Sequence, residues 1–142
     1  MYVKQLLCIT LLAYVAMKPV TSVSQEQLEK LARSMRKNCL QKIDTTEELV
    51  EGMHKGEFPD DPNLKCYTNC IMKTLRSFKN GAIDFGMITK QVEMTMPPDL
   101  AERVKEAIAT CRKREYDGDE CTITYNYVKC YYEVDPEIFV FP

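Results

Sequence analysis

Six cysteines, Cys39, Cys66, Cys70, Cys111, Cys121 and Cys130, are spaced C-x26-C-x3-C-x40-C-x9-C-x8-C. Thiols in such a set can bind zinc, exchange electrons or pair into structural bridges. Zinc sites favour close pairs of ligands, often completed by histidine. These gaps do not form two close pairs, and His54 is the only histidine, so no metal site is expected. Redox catalysis favours C-x2-C, which the sequence lacks. Pairing fits best because the chain opens like an exported one. Lys4 gives a positive start, Leu6 to Ala16 is apolar, and Val20-Thr21-Ser22 supplies the small residues a signal peptidase cuts behind. Cleavage is expected after Ser22, making 1–22 a signal peptide and 23–142 a single domain. Cys8 falls in the removed segment and leaves an even six. An even set in an oxidising compartment reads as a disulfide framework.

The elements that must carry these cysteines are helical. Ser24-Gln25-Glu26-Gln27 offers a capping box, and Leu28, Leu31, Met35 and Cys39 follow at helical spacing towards Leu40. Thr45-Thr46-Glu47-Glu48 offers a second box, and Gly56 a stop. A third helix is expected from Pro62 or Asn63 to Phe78, ended by Lys79-Asn80-Gly81. A fourth is expected over Asp84–Met94, and a fifth from Pro97-Pro98 to Arg114. The sixth runs from Glu120 to Tyr132 despite its strand-favouring Thr, Tyr and Val. The expected class is therefore all-α, six helices. Cys66 and Cys70 share one face of the third helix, yet about 6 Å of axial rise separates them. Each should reach a different neighbour, which makes that helix a hub.

Composition narrows the function. The formal net charge is −2, and loss of Lys4 and Lys18 with the signal makes it more negative. A mildly acidic chain suits neither nucleic acid nor anionic membrane. Lys18 and Pro19 interrupt the first apolar run short of a membrane span, so no stable insertion is expected. Catalysis finds no Gly-x-Ser-x-Gly elbow and one histidine to serve a nucleophile, so the chain is not expected to be an enzyme or to need a cofactor. Eight methionines and no tryptophan suit an adaptable apolar interior. Bridges worth about 2–4 kcal/mol each can offset an unfilled void. The segment Ile138-Phe139-Val140-Phe141 would expose large apolar side chains unless it tucks against the body, at roughly 1.5–3 kcal/mol each.

With these features together, the chain resembles the insect odorant-binding proteins of the six-cysteine, pheromone- and general-odorant-binding type. The likeness covers all of 23–142. It rests on the five cysteine gaps, on Leu64-Lys65-Cys66-Tyr67-Thr68-Asn69-Cys70, on the break at Pro97-Pro98, and on Asp135-Pro136 ahead of an apolar end. Six cysteines allow 15 pairings. The resemblance alone selects Cys39–Cys70, Cys66–Cys121 and Cys111–Cys130. It implies six helices around an apolar cavity, with the C-terminal tail packed against or into it. It also implies secretion into sensillar lymph or another body fluid, and carriage of a small hydrophobic ligand to an olfactory receptor. Weak homodimers are a further family expectation. A lipid carrier outside olfaction shares every feature above, whereas a secreted signalling factor would bury its stripes without leaving a cavity.

Such a cavity would recognise its guest by shape and apolar area, with a few polar groups for orientation. Candidate wall residues are Leu49 and Met53 from the second helix, and Met72, Leu75 and Phe78 from the third. The fourth contributes Ile88 and Val92, with Met96 just beyond. Ile108 comes from the fifth helix, Ile123 and Tyr127 from the sixth, and Phe139 and Phe141 from the tail. Tyr127, Thr74 and Thr124 are candidate donors to a ligand oxygen. A histidine switch would have only His54, so an acid response is expected from Glu133, Asp135, Glu137 and the Pro142 carboxylate.

Overall fold

A computed structural model describes residues 24–142, so the expected signal peptide lies outside the described residues. Ser24 opens α1 (Gln25–Lys42) with a reciprocal box. Its Oγ accepts from the Gln27 amide at 3.3 Å, and its own amide donates to Gln27 Oε1 at 3.0 Å. Met35 and Cys39 on α1 are buried, but Leu31 is 54% exposed.

The second cap sits one residue later than the box suggested. Thr46 Oγ1 accepts from the Leu49 amide at 3.2 Å and starts α2 (Glu47–Met53). Glu48 is thereby moved out of the position that would close a box. Gly56 turns the chain behind α2 with φ +81°, and a Cβ there would lie 2.9 Å from the Tyr132 ring. Only glycine satisfies both constraints.

Asp61 caps α3 (Pro62–Thr74), accepting from the Leu64 amide at 2.7 Å, with Pro62 pre-set in the first turn. The expected continuation to Phe78 does not occur. Arg76 takes φ +57°, and Phe78 instead enters β1 (Phe78–Lys79), paired antiparallel with β2 (Ala82–Ile83). Asn80 (φ +53°) and Gly81 (φ +76°) form the two-residue turn between them, the geometry whose twist matches paired strands. The Asn-Gly pair that reads as a helix stop is thus a hairpin turn.

Asp84 caps α4 (Phe85–Thr95), and Pro97-Pro98 leads into α5 (Pro98–Cys111). Asp119 caps α6 (Glu120–Val134) by accepting from the Thr122 amide at 2.8 Å. In the Thr- and Tyr-rich stretch Thr124, Tyr127, Val128 and Tyr131 recur at helical spacing among the six buried residues, which also include Tyr125 and Cys130. A short 3-10 turn (Pro136–Ile138) follows. Among the described residues the fold is therefore six α-helices with one small hairpin. The α3–α6 pair is the most extensive packing interface, with α1 laid on α3, α5 on α6 and α4 on α5. Tyr67, Ile71 and Val128 lie at its centre. There the Thr68 and Thr124 hydroxyls meet at 3.2 Å.

Candidate functional site

Three disulfides frame the interior. Cys39 joins Cys70, linking α1 to α3, and Cys66 joins Cys121, linking α3 to α6. Cys111 joins Cys130, linking α5 to α6. The helical rise that separates Cys66 from Cys70 aims each at a different helix, so α3 is clamped on two sides. Arg36 adds a polar tie, reaching Glu47 at 2.7 Å and Glu51 at 3.3 Å across α1 and α2. Among the described residues, no group of three His, Cys, Asp or Glu is placed to hold a metal ion.

The candidate apolar residues belong to one cluster. Met53, Met72, Phe78, Val92, Ile108, Tyr127 and Phe139 are buried within it. Leu49, Leu75, Ile88, Met96, Ile123 and Phe141 are partly buried against it. Phe78 reaches the core from β1 rather than from α3. Rings gather at two places. Phe139 meets His54 at 5.3 Å, Tyr132 at 5.2 Å, Tyr131 at 5.6 Å, Phe141 at 6.2 Å and Phe58 at 6.4 Å between centroids. Separately, Tyr127 lies edge-on to Phe85 at 5.7 Å and to Tyr116 at 6.1 Å. Phe58, Phe85, Tyr116, Tyr131 and Tyr132 are the rings of these two groups absent from the candidate wall residues. Phe58 and Tyr116 stand in connectors whose Pro, Asp and Gly content signals a turn and nothing about packing.

The tail segment lies on the body. Ile138 and Phe139 are buried, Phe141 is half-buried, and Val140 turns outward. Tyr131 donates to the Ile138 carbonyl at 2.7 Å, and Tyr67 donates to the Pro142 main-chain oxygen at 2.8 Å. On the outside, Arg103 holds Asp135 at 2.7 Å and Glu137 at 3.0 Å. Donating hydrogen bonds to these carboxylates, Asp135 first, holds the Arg103 guanidinium above its usual pKa. Glu133 is held by Arg114 at 2.9 Å.

Two open grooves adjoin this region. One, of about 590 Å³, is lined by Glu48, Leu49, Glu57, Phe58 and Pro59. The Phe58 ring stands between it and Tyr125 and Tyr132, 5.8 and 5.6 Å away. The other, of about 410 Å³, runs between α1, α2 and the tail and includes Arg33, Arg36, His54, Phe141 and Pro142. Leu49 and Phe141 thus face grooves, while the remaining candidates line neither.

Of the three candidate polar donors, two are occupied. Thr74 Oγ1 donates to the Cys70 carbonyl at 2.8 Å, and Thr124 Oγ1 donates to the Glu120 carbonyl at 2.9 Å. Both are hydroxyls turned back onto their own helix. Burial pushes the Tyr125 and Tyr131 phenols up to about 12 and raises Tyr67 and Tyr127 as well. These groups are neutral at physiological pH, and each is able to donate.

Comparison with known proteins gives consistent results. A model of the PBP/GOBP family matches residues 21–134. General odorant-binding protein 72 of Anopheles gambiae is 28% identical over 122 residues, covering 85% of this chain and 100% of that one. The solved structure of Apis mellifera odorant binding protein 5 superposes with a TM-score of 0.83 at 61% identity, covering 86% of this chain and all of that one. Odorant Binding Protein 4 of Chrysopa pallens gives 0.77 at 35% identity, covering 84% and 98%.

Proposed function

The chain belongs to the PBP/GOBP family of odorant-binding carriers, and from that premise we propose that it is a secreted carrier of small hydrophobic odorants or pheromone-like volatiles. In this reading 1–22 is a cleaved signal peptide. The domain 23–142 crosses the aqueous lymph with its guest and delivers it to an olfactory receptor without performing catalysis. No helix among the described residues is long and apolar enough to cross a membrane. The observation that carries the proposal is the apolar and aromatic cluster within a disulfide-clamped six-helix frame. Cross-links of this kind stabilise a shell independently of complete packing. The guest would lodge among Met53, Met72, Ile88, Ile108, Ile123 and Tyr127, with Phe139 and Phe141 closing over it. A ligand of moderate size would bind with micromolar affinity, about −8 kcal/mol.

The test is a titration of oxidised protein with N-phenyl-1-naphthylamine followed by a displacement panel of volatiles. Saturable, displaceable fluorescence supports the carrier. Absence of uptake in protein of native helicity overturns it. Expression confined to non-sensory tissue would retain the carrier chemistry and remove olfaction.

A further inference from the structure

The chain holds five asparagines, and the fold treats one of them differently. Asn38 stands on α1, Asn63 and Asn69 on α3, and Asn126 on α6. Within a helix ψ is fixed, and the main-chain N–H of the next residue is usually committed to the ladder. The Leu64 amide after Asn63 is given to Asp61 Oδ1 at 2.7 Å. Asn69 is buried, and its Nδ2 donates to the Glu120 carbonyl at 3.2 Å.

Asn80 stands at the tip of the β1–β2 hairpin instead. It is exposed at φ +53°, and the next residue is an exposed glycine at φ +76°. Neither the Asn80 side-chain amide nor the Gly81 N–H has a hydrogen-bond partner among the described residues. A Cβ on Gly81 would meet nothing within 4 Å. Asparagine is a thermolabile residue, and here its carboxamide and the following nitrogen are both uncommitted and unshielded.

We propose that Asn80 is a site of spontaneous deamidation, and that its isoaspartyl product undoes the β1–β2 hairpin. The Gly81 main-chain nitrogen attacks Asn80 Cγ. A C–N bond forms to close a succinimide, and Nδ2 leaves as ammonia, which carries off the Gly81 amide proton. Water then adds to either succinimide carbonyl and breaks its bond to nitrogen, giving aspartate or isoaspartate. The net change is one water consumed and one ammonia released, with nothing oxidised or reduced. Closing the ring needs rotation about the Asn80 ψ, which the unpacked tip and the side-chain-free Gly81 allow.

Isoaspartate routes the main chain through the side-chain methylene, which lengthens the link between Lys79 and Ala82. The two-residue turn matches the paired strands only at its normal length. Phe78 then loses its register with Ile83. The new carboxylate also stands beside Lys79, whose ammonium holds Asp84, the cap of α4, at 2.8 Å.

The experiment incubates the oxidised full-length domain in mildly alkaline buffer, which favours loss of the amide proton. Peptide mass spectrometry with electron-transfer fragmentation then locates each conversion and separates isoaspartate from aspartate. Conversion is expected in the Asn80 peptide ahead of the other four, with isoaspartate among its products. No conversion at Asn80, or equal conversion at Asn38 or Asn126, overturns the site. The isolated isoaspartyl form is then compared with Asn80→Asp, which carries the same charge on an ordinary backbone. Amide exchange over residues 78–83 should quicken in the isoaspartyl form alone. Equal exchange in the two proteins overturns the effect on the hairpin.

Discussion

The Tyr67 hydroxyl on α3 donates to the main-chain oxygen of Pro142 at 2.8 Å, joining residues 75 positions apart. Tyr67 is fully buried, so this bond ties the tail segment to the centre of the fold. Tyr67→Phe keeps the ring and removes the donor. The expected loss is about 0.5–1.5 kcal/mol, with faster amide exchange or proteolysis confined to the tail. Unchanged protection of residues 139–142 would contradict the tie.

Phe139 is the larger anchor. It is buried and touches five rings, so Phe139→Ala should destabilise by roughly 3–5 kcal/mol. Val140→Ala, at an outward-facing position, should fall within about 0.5 kcal/mol. Denaturant melts of the two variants measure the contrast, and equal effects would mean that the tail does not pack.

The Cys66–Cys121 bridge spans the α3–α6 pair. Replacing both by serine should cost about 2–4 kcal/mol, read as a lower melting temperature. Alkylation and mass spectrometry of the oxidised natural protein should find no free thiol among the six cysteines. A reactive thiol there would overturn the framework.

Buried phenols give a pH signature. Unfolded tyrosines ionise near about 10, whereas burial holds Tyr125 and Tyr131 at about 12. Above about pH 10 the unfolded chain releases these protons first, so their contribution to stability is complete below about pH 10 and is lost towards about pH 12. Phenolate absorbance from the buried set should rise only as helical circular dichroism falls. Ionisation with retained helicity would contradict the burial.

At the surface, Arg103 faces Asp135 and Glu137, and Arg114 faces Glu133. Arg103→Gln removes the cation that holds both tail carboxylates, and amide exchange over residues 135–138 is expected to quicken. Unchanged exchange there would contradict the tether.

Much of this architecture is legible in the chain because caps and helical periodicity are local. Ser24, Asp61, Asp84 and Asp119 each accept a main-chain N–H at the start of a helix. The hairpin at Phe78–Ile83 escaped because two-residue strands carry too few positions for an alternating pattern, and Asn80-Gly81 signals a stop and a turn equally well. Leu31 misleads because periodicity reports an apolar face and not whether another helix covers it. The polar side of the site was the least legible. Tyr127, Thr74 and Thr124 look equivalent as donors in sequence, and only the three-dimensional hydrogen-bond pattern separates an idle hydroxyl from two that are engaged.

The three cross-links run in series, from α1 to α3, α3 to α6 and α6 to α5. That covalent spine passes by α2, α4 and the hairpin, which carry no cysteine. Those pieces are unriveted panels on a bolted chassis. Breathing motions, and with them the traffic of guests between solvent and interior, are expected to run past α2 and α4 while the spine stays put.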